Sequence, residues 1–220
     1  MTVPAPRDPR PASPVAGGTD ANSTVASLFR RREQPVREFA AQAGEVAEAC
    51  HQMALRFHQG GKLVVFGIGG PSTDAQHVAV EFVHPVIVGK RPLPAIALTS
   101  DVATVTGIAA RSGMAAIFSH QLRYLAQPAD IALGISADGN CASVLSGLLT
   151  ARELGLLTIA LVGGDGGAIA ASPAVDHLLV TRSSDPRVVK EMHVTCYHVL
   201  WELVHVFFEQ PGLFGPGVVA

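Results

Sequence analysis

The sequence is short of the features that announce most specialised classes. It has only three cysteines, Cys50, Cys141 and Cys196. They are odd in number and far apart, so neither a disulfide framework nor a Cys-x-x-Cys metal knuckle is visible. Charged residues make up 15% and the net charge is −2. That excludes the basic face needed to displace counterions from nucleic acid. No apolar run approaches the ~20 residues that span a bilayer. The N-terminus lacks an apolar stretch after a basic start, so it does not read as a secretory signal. A reducing cytoplasm is the expected location.

What is plentiful is apolar side chain, 48% of 220 residues. The length suits one domain. So much core-forming material under a thin polar cover predicts that surface is buried between subunits as well as within one. Residues 1–21 carry five prolines among Ala, Gly and Ser and read as a disordered tail. Residues 22–210 read as the folded domain, and 211–220 as a flexible end. Helical patterning is expected from Ser23, with a long amphipathic segment from Val36 to Gln59 stopped by Gly60-Gly61.

A repeating order follows of apolar run, glycine or small-residue turn, and helical stretch. The runs are 63–66, 95–98, 131–135, 157–162 and 178–180, continuous rather than alternating, as strands buried on both faces read. A final helix is expected from Arg187 to Glu209. The pattern predicts a flavodoxin-like, doubly wound three-layer αβα sandwich around a five-stranded parallel sheet, preceded by N-terminal helices.

In such sheets ligands bind beyond the carboxyl ends of the strands. Three turns qualify: Gly67-Ile68-Gly69-Gly70-Pro71-Ser72, Ser136-Ala137-Asp138-Gly139-Asn140-Cys141, and Gly163-Gly164-Asp165-Gly166-Gly167. Each is weak evidence alone; their recurrence is the stronger signal. His77 and Glu81, spaced i, i+4, share a helix face and suit a divalent metal or acid/base work, although for an isolated pair a surface helix with a solvated Glu and a packed His is the favoured reading. Lys190 and His198 share a broad face of the last helix, where His198 also reads as a core histidine.

The stretch FGIGGPSTDAQHVAVE, residues 66–81, resembles the phosphoheptose (sedoheptulose 7-phosphate) isomerases of the sugar isomerase, or SIS, superfamily. LPAIALTSD at 93–101, Gly134-Ile135-Ser136, Gly139-Asn140, ARELG at 151–155 and Glu191-Met192-His193 continue it in order. The resemblance spans about residues 25 to 209. It implies a homotetramer that interconverts a ketose phosphate and an aldose phosphate. It also implies a metal site at His77, Glu81 and His198, with Glu81 as base and His198 as acid. The substrate contacts it implies are Gly69, Gly70, Ser72, Asp101, Ser136, Asp138, Asn140 and Cys141.

Three departures change these expectations. Lys190 stands where the family has a metal-binding Gln. Ile68 and Pro71 replace members of the first turn. Ala137, Asp138 and Cys141 replace hydroxyl donors of the phosphate loop. A carboxylate ~4 Å from a phosphate costs about 4 kcal/mol per unit charge at an effective dielectric near 20. Each lost neutral hydrogen bond adds roughly 1 kcal/mol. An unphosphorylated sugar, or one bearing an amine, is therefore expected. Lys190 is expected to disfavour zinc and to act as the catalytic cation, or else to pair with Glu81 or reach solvent in a protein without catalysis. A non-catalytic binder, like the initiator-associating relative in the superfamily, is the alternative to an isomerase. A sugar-sensing regulator is set aside because no DNA-binding module is visible. A sugar or sugar phosphate is the expected partner, with no direct nucleic-acid or membrane contact.

Overall fold

The computed structural model describes residues 18–210. Of the two expected tails, 1–17 and 211–220 lie outside the described residues. Five parallel strands form one sheet in the order β2-β1-β3-β4-β5. They are β1 (Leu63–Gly67), β2 (Ala95–Ala97), β3 (Ile131–Ser136), β4 (Leu157–Gly163) and β5 (His177–Thr181). Every residue of β1, β3 and β4 is buried, which is why their sequences run apolar without alternation. The alternation is in which face is served. Leu63, Val65, Leu133, Ile159 and Leu161 point into one core; Val64, Phe66, Ala132, Ala160 and Val162 point into the other. Each large side chain so buried contributes about 1.5–3 kcal/mol.

The first core is covered by α2 (Ala43–His58), α3 (Gly70–Val83) and α8 (Pro186–Glu209). The second is covered by α4 (Val102–Ser112), α5 (Ile117–Leu125), α6 (Ala142–Glu153) and the short α7 (Gly167–Ala170). The sandwich with its five-stranded parallel sheet is as the apolar pattern predicted. Two boundaries differ. The N-terminal helix α1 (Gly18–Ala40) begins ahead of Ser23. The expected single helix over 36–59 is two, because the chain turns at Ala41-Gln42 between α1 and α2. The Gln42 side chain then donates to the Val180 carbonyl at 2.8 Å and accepts from the Val180 amide at 3.0 Å, tying that turn to β5. Arg32 of α1 forms a two-pronged pair with Glu191 of α8, at 2.5 and 2.7 Å.

Sheet order reverses between β1 and β3, so their following loops part and open a crevice at the carboxyl edge. Gly139 is required there. A Cβ on it would lie 1.9 Å from the Gly166 carbonyl oxygen, so only glycine lets the β3 and β4 loops approach. No helix among the described residues is long and apolar enough to cross a membrane.

Candidate functional site

The loops after β1, β3, β4 and β5 surround a mouth of about 480 Å³. Ile68, Pro71, Asp138, Cys141, Ser183 and Ser184 are among its lining residues. Ser183 and Ser184 lie in the β5–α8 loop, which has no glycine signature and gave no sequence signal. The β3–α6 loop is closed upon itself. Asp138 Oδ1 accepts from the Asn140 amide at 2.9 Å and lies 3.4 Å from the Ser136 hydroxyl. That hydroxyl in turn accepts from the Gly139 amide at 3.0 Å. Asn140 is occupied structurally, its Oδ1 accepting from the Ala168 amide and its Nδ2 donating to the Asp138 carbonyl. The carboxylate thus occupies the Asn140 amide and approaches the Ser136 hydroxyl.

The other expected contacts are dispersed. Gly69, whose φ of 68° favours glycine, adjoins a separate recess with Ser72 and Thr99. The Ser72 hydroxyl donates to the Gly69 carbonyl at 2.7 Å. Asp101 is the N-cap of α4, accepting from the Thr104 amide at 3.1 Å and the Thr104 hydroxyl at 2.6 Å. Those hydrogen bonds, the hydroxyl first, hold its carboxyl below the usual range.

The chemistry-bearing side chains come from α3 and α8, which run side by side in the same direction. Three polar contacts join them in step: Lys190 to Asp74 at 2.6 Å, Tyr197 to His77 at 2.7 Å, and the Trp201 indole to the Glu81 carbonyl at 2.9 Å. Helical spacing puts His77 and Glu81 on one face, with Nε2 of His77 3.2 Å from Oε1 of Glu81. His198 packs edge-on against His77, ring centroids 5.2 Å apart. One potential ligand atom from each of His77, Glu81 and His198 lies within 4.8 Å of the others. The side chain of Glu81 is only 12% exposed, beside a half-exposed His77.

Lys190 does not join this group, contrary to both expectations for it. Its ammonium donates to Asp74 Oδ1, to the Thr73 hydroxyl at 2.8 Å and to the Gly70 carbonyl at 3.1 Å. The reason is Asp74, whose side chain is 3% exposed. A carboxylate that deeply buried requires a cation, and the flexible lysine stem serves it ahead of the more distant, better solvated Glu81.

Tyr197 was legible only as an apolar core residue, yet its hydroxyl is the partner of His77 Nδ1. Burial, then the charges of Asp74 and Glu81, push its pKa well above the ordinary phenol value, so it remains a neutral hydroxyl able to donate or accept. With an anionic Glu81, it donates to Nδ1 while Nε2–H donates to Glu81. By rotating, the same hydroxyl accepts from Nδ1–H and frees the Nε2 lone pair.

The five-stranded parallel sheet with its loop-edge crevice is that of an SIS domain, and the SIS domain family pattern matches residues 29–163. The chain is 40% identical over 174 residues to the phosphoheptose isomerase of Nitratidesulfovibrio vulgaris, covering 79% of this chain and 83% of that one. It is 41% identical over 162 residues to that of Geobacter sulfurreducens, covering 74% and 85%. The structure of a phosphoheptose isomerase from Francisella tularensis superposes with a TM-score of 0.78 at 31% identity, over 84% of this chain and 98% of that one. The chain belongs to the phosphoheptose isomerase family of SIS-domain proteins.

Proposed function

We propose that this protein is an aldose–ketose isomerase acting on a sugar, with Glu81 as base and His198 as the group that moves protons on oxygen. The observation that carries the reading is the convergence of His77, Glu81 and His198 within 4.8 Å on two packed helices, in a member of this family. In the ketose-to-aldose direction, Glu81 takes a proton from C1 and the C–H electron pair forms the C1=C2 bond of an enediol. The C2 oxygen takes a proton from His198. Glu81 then returns its proton to C2 as O1 gives one back to His198, leaving a C1 aldehyde. Nothing is gained or lost overall.

The donor set also fits a divalent ion such as zinc. Three protein ligands of N and O type leave an open position, and the ligating histidine has an outer hydrogen-bond partner in Tyr197. His77, Glu81 and His198 would hold it. When bound, it would polarise the sugar carbonyl oxygen. Because Lys190 is paired with Asp74, its charge gives no ground for disfavouring the metal.

The occupied β3–α6 loop supports a change of substrate. A phosphoryl group there meets Asp138, so the distal end of the sugar is read as unphosphorylated or as carrying an amine. The same loop favours a second reading, a binding protein without turnover. Exchange of the C1 protons of sedoheptulose with solvent deuterium, followed by NMR, tests both. Exchange by the wild type that is lost in Glu81→Gln supports the isomerase; specific binding without exchange supports the binder. Turnover of sedoheptulose 7-phosphate in strong preference to the free sugar would overturn the substrate change. An apolar groove of about 340 Å³ lined by Val36, Phe39, Met192, Val199 and Leu203 supports the homotetramer, which a solution mass measurement checks.

A further inference from the structure

Between the first turns of α3 and α8 lies a smaller chamber of about 220 Å³, whose lining includes Pro71, Asp74, Ala137, Val189, Lys190 and His193. Pro71, Ala137 and Val189 also line the mouth, so the two spaces adjoin. Two of its polar residues are nearly sealed from solvent, Asp74 at 2% exposure and His193 at 1%. Oδ2 of Asp74 and Nε2 of His193 have no hydrogen-bond partner among the described residues. Leaving such an atom unsatisfied costs about 1–3 kcal/mol, and in folded proteins it calls for an explanation, a bound water or ligand among them.

The missing group is defined by what the chamber offers. One ring nitrogen of His193 bonds the Val162 carbonyl. A carbonyl only accepts, so that nitrogen carries the proton and Nε2 of the neutral ring is a lone pair. Burial first, with Lys190 adding to it, lowers the pKa of His193 and favours that neutral form. The charge of Asp74 is answered by Lys190, whose three N–H groups are all engaged. The chamber is therefore neutral, and two residues of its lining each hold an unpartnered acceptor, with no vacant side-chain donor beside them. A phosphoryl group brings only acceptors and a charge that Asp74 repels. An ammonium brings donors but stands against Lys190. A neutral hydroxyl group meets neither obstacle.

We propose that this chamber is a hydroxyl-binding subsite, in which O–H groups of a polyhydroxylated sugar chain donate to Asp74 Oδ2 and His193 Nε2. It rests on the reading of the adjoining mouth as a sugar site, and it makes Asp74 and His193 determinants of which sugar is accepted.

The test is calorimetric titration of the full chain with unphosphorylated sedoheptulose, together with nitrogen NMR of its histidine rings. The expected result is saturable binding that moves the His193 Nε2 resonance. His193→Phe, which removes the acceptor and fills the space, should weaken binding roughly tenfold, the worth of one good buried hydrogen bond. His193→Gln retains polarity for the Val162 carbonyl and serves if the Phe variant does not fold; it should weaken binding less. No saturable binding by the wild type, a silent His193 ring, or equal affinity in the folded variants overturns the subsite. C1 proton exchange alongside a silent ring would sink the subsite alone. A responsive ring in a chain without exchange would sink the isomerase alone.

Discussion

The helical wall and the loop mouth of this site have been treated differently. On α3 and α8, His77, Glu81 and His198 bring one potential ligand atom each within 4.8 Å, with Tyr197 on Nδ1 of His77 and Glu81 Oε1 3.2 Å from its Nε2. In the β3–α6 loop, Asp138 accepts from the Asn140 amide and lies 3.4 Å from the Ser136 hydroxyl, which itself accepts from the Gly139 amide. On the proposed reading the helical wall moves the protons, while the loop already holds a carboxylate where an anchoring anion would lie. The difference teaches that chemistry and substrate choice are separable within one fold.

The largest expected effect breaks the reactive side. Glu81→Gln removes the base but retains size and the carbonyl that Trp201 binds. C1 proton exchange should fall by about a thousandfold, within the range for loss of a general base, with the melting temperature nearly unchanged. Exchange at the wild-type rate would remove Glu81 from the mechanism.

The next sharpens the anchoring side. Asp138→Ser removes the internal carboxylate and restores a hydroxyl. Affinity for sedoheptulose 7-phosphate, measured by titration, should rise by roughly ten- to a hundredfold as a like-charge contact disappears. Affinity for the free sugar should change far less. Equal gains for both would mean that Asp138 does not discriminate by charge.

Tyr197→Phe tests whether the helical wall depends on its outer hydrogen bond. Zinc affinity, read by competition with a chromogenic chelator, should fall about ten- to a hundredfold. The nitrogen spectrum of metal-free protein should show the tautomer balance of His77 changing, which a purely structural role for the ring would not produce. Lys190→Gln should leave zinc affinity little changed, because its partner is Asp74, while lowering stability by about 2 kcal/mol through the exposed need of that buried carboxylate. A large loss of zinc with stability intact would return Lys190 to the metal site.

The sequence made the sheet legible because strands buried on both faces must be apolar throughout, and β1, β3 and β4 are. It made the His77/Glu81 pair legible because helical spacing alone sets their shared face. Resemblance supplied His198. What stayed hidden was partnership across elements. Lys190 aligned with a metal ligand, but a position on a helix does not tell which of two carboxylates a flexible ammonium reaches. Asp74 and Tyr197 looked like parts of a patterned helix, and only packing showed one as a buried charge and the other as the hydroxyl beside His77. The division at Ala41-Gln42 was missed because the apolar spacing continues smoothly through it.

The smallest effect concerns His193, between the two regions. Its folded-state pKa lies below the ordinary 6.5, through burial first, while in the unfolded chain it titrates near that ordinary value. As pH falls below about 6.5 the unfolded chain takes up the proton first, so stability must decline until the lowered folded value is passed. Above that window the contribution is fully present. Melting curves collected across weakly acidic pH should show the decline in the wild type and a shallower one in His193→Gln. Because Lys190 faces the same ring, Lys190→Gln should ease protonation of His193 and also flatten the slope. Identical slopes in all three proteins would mean that this histidine is not the buried neutral group whose lone pair faces the chamber.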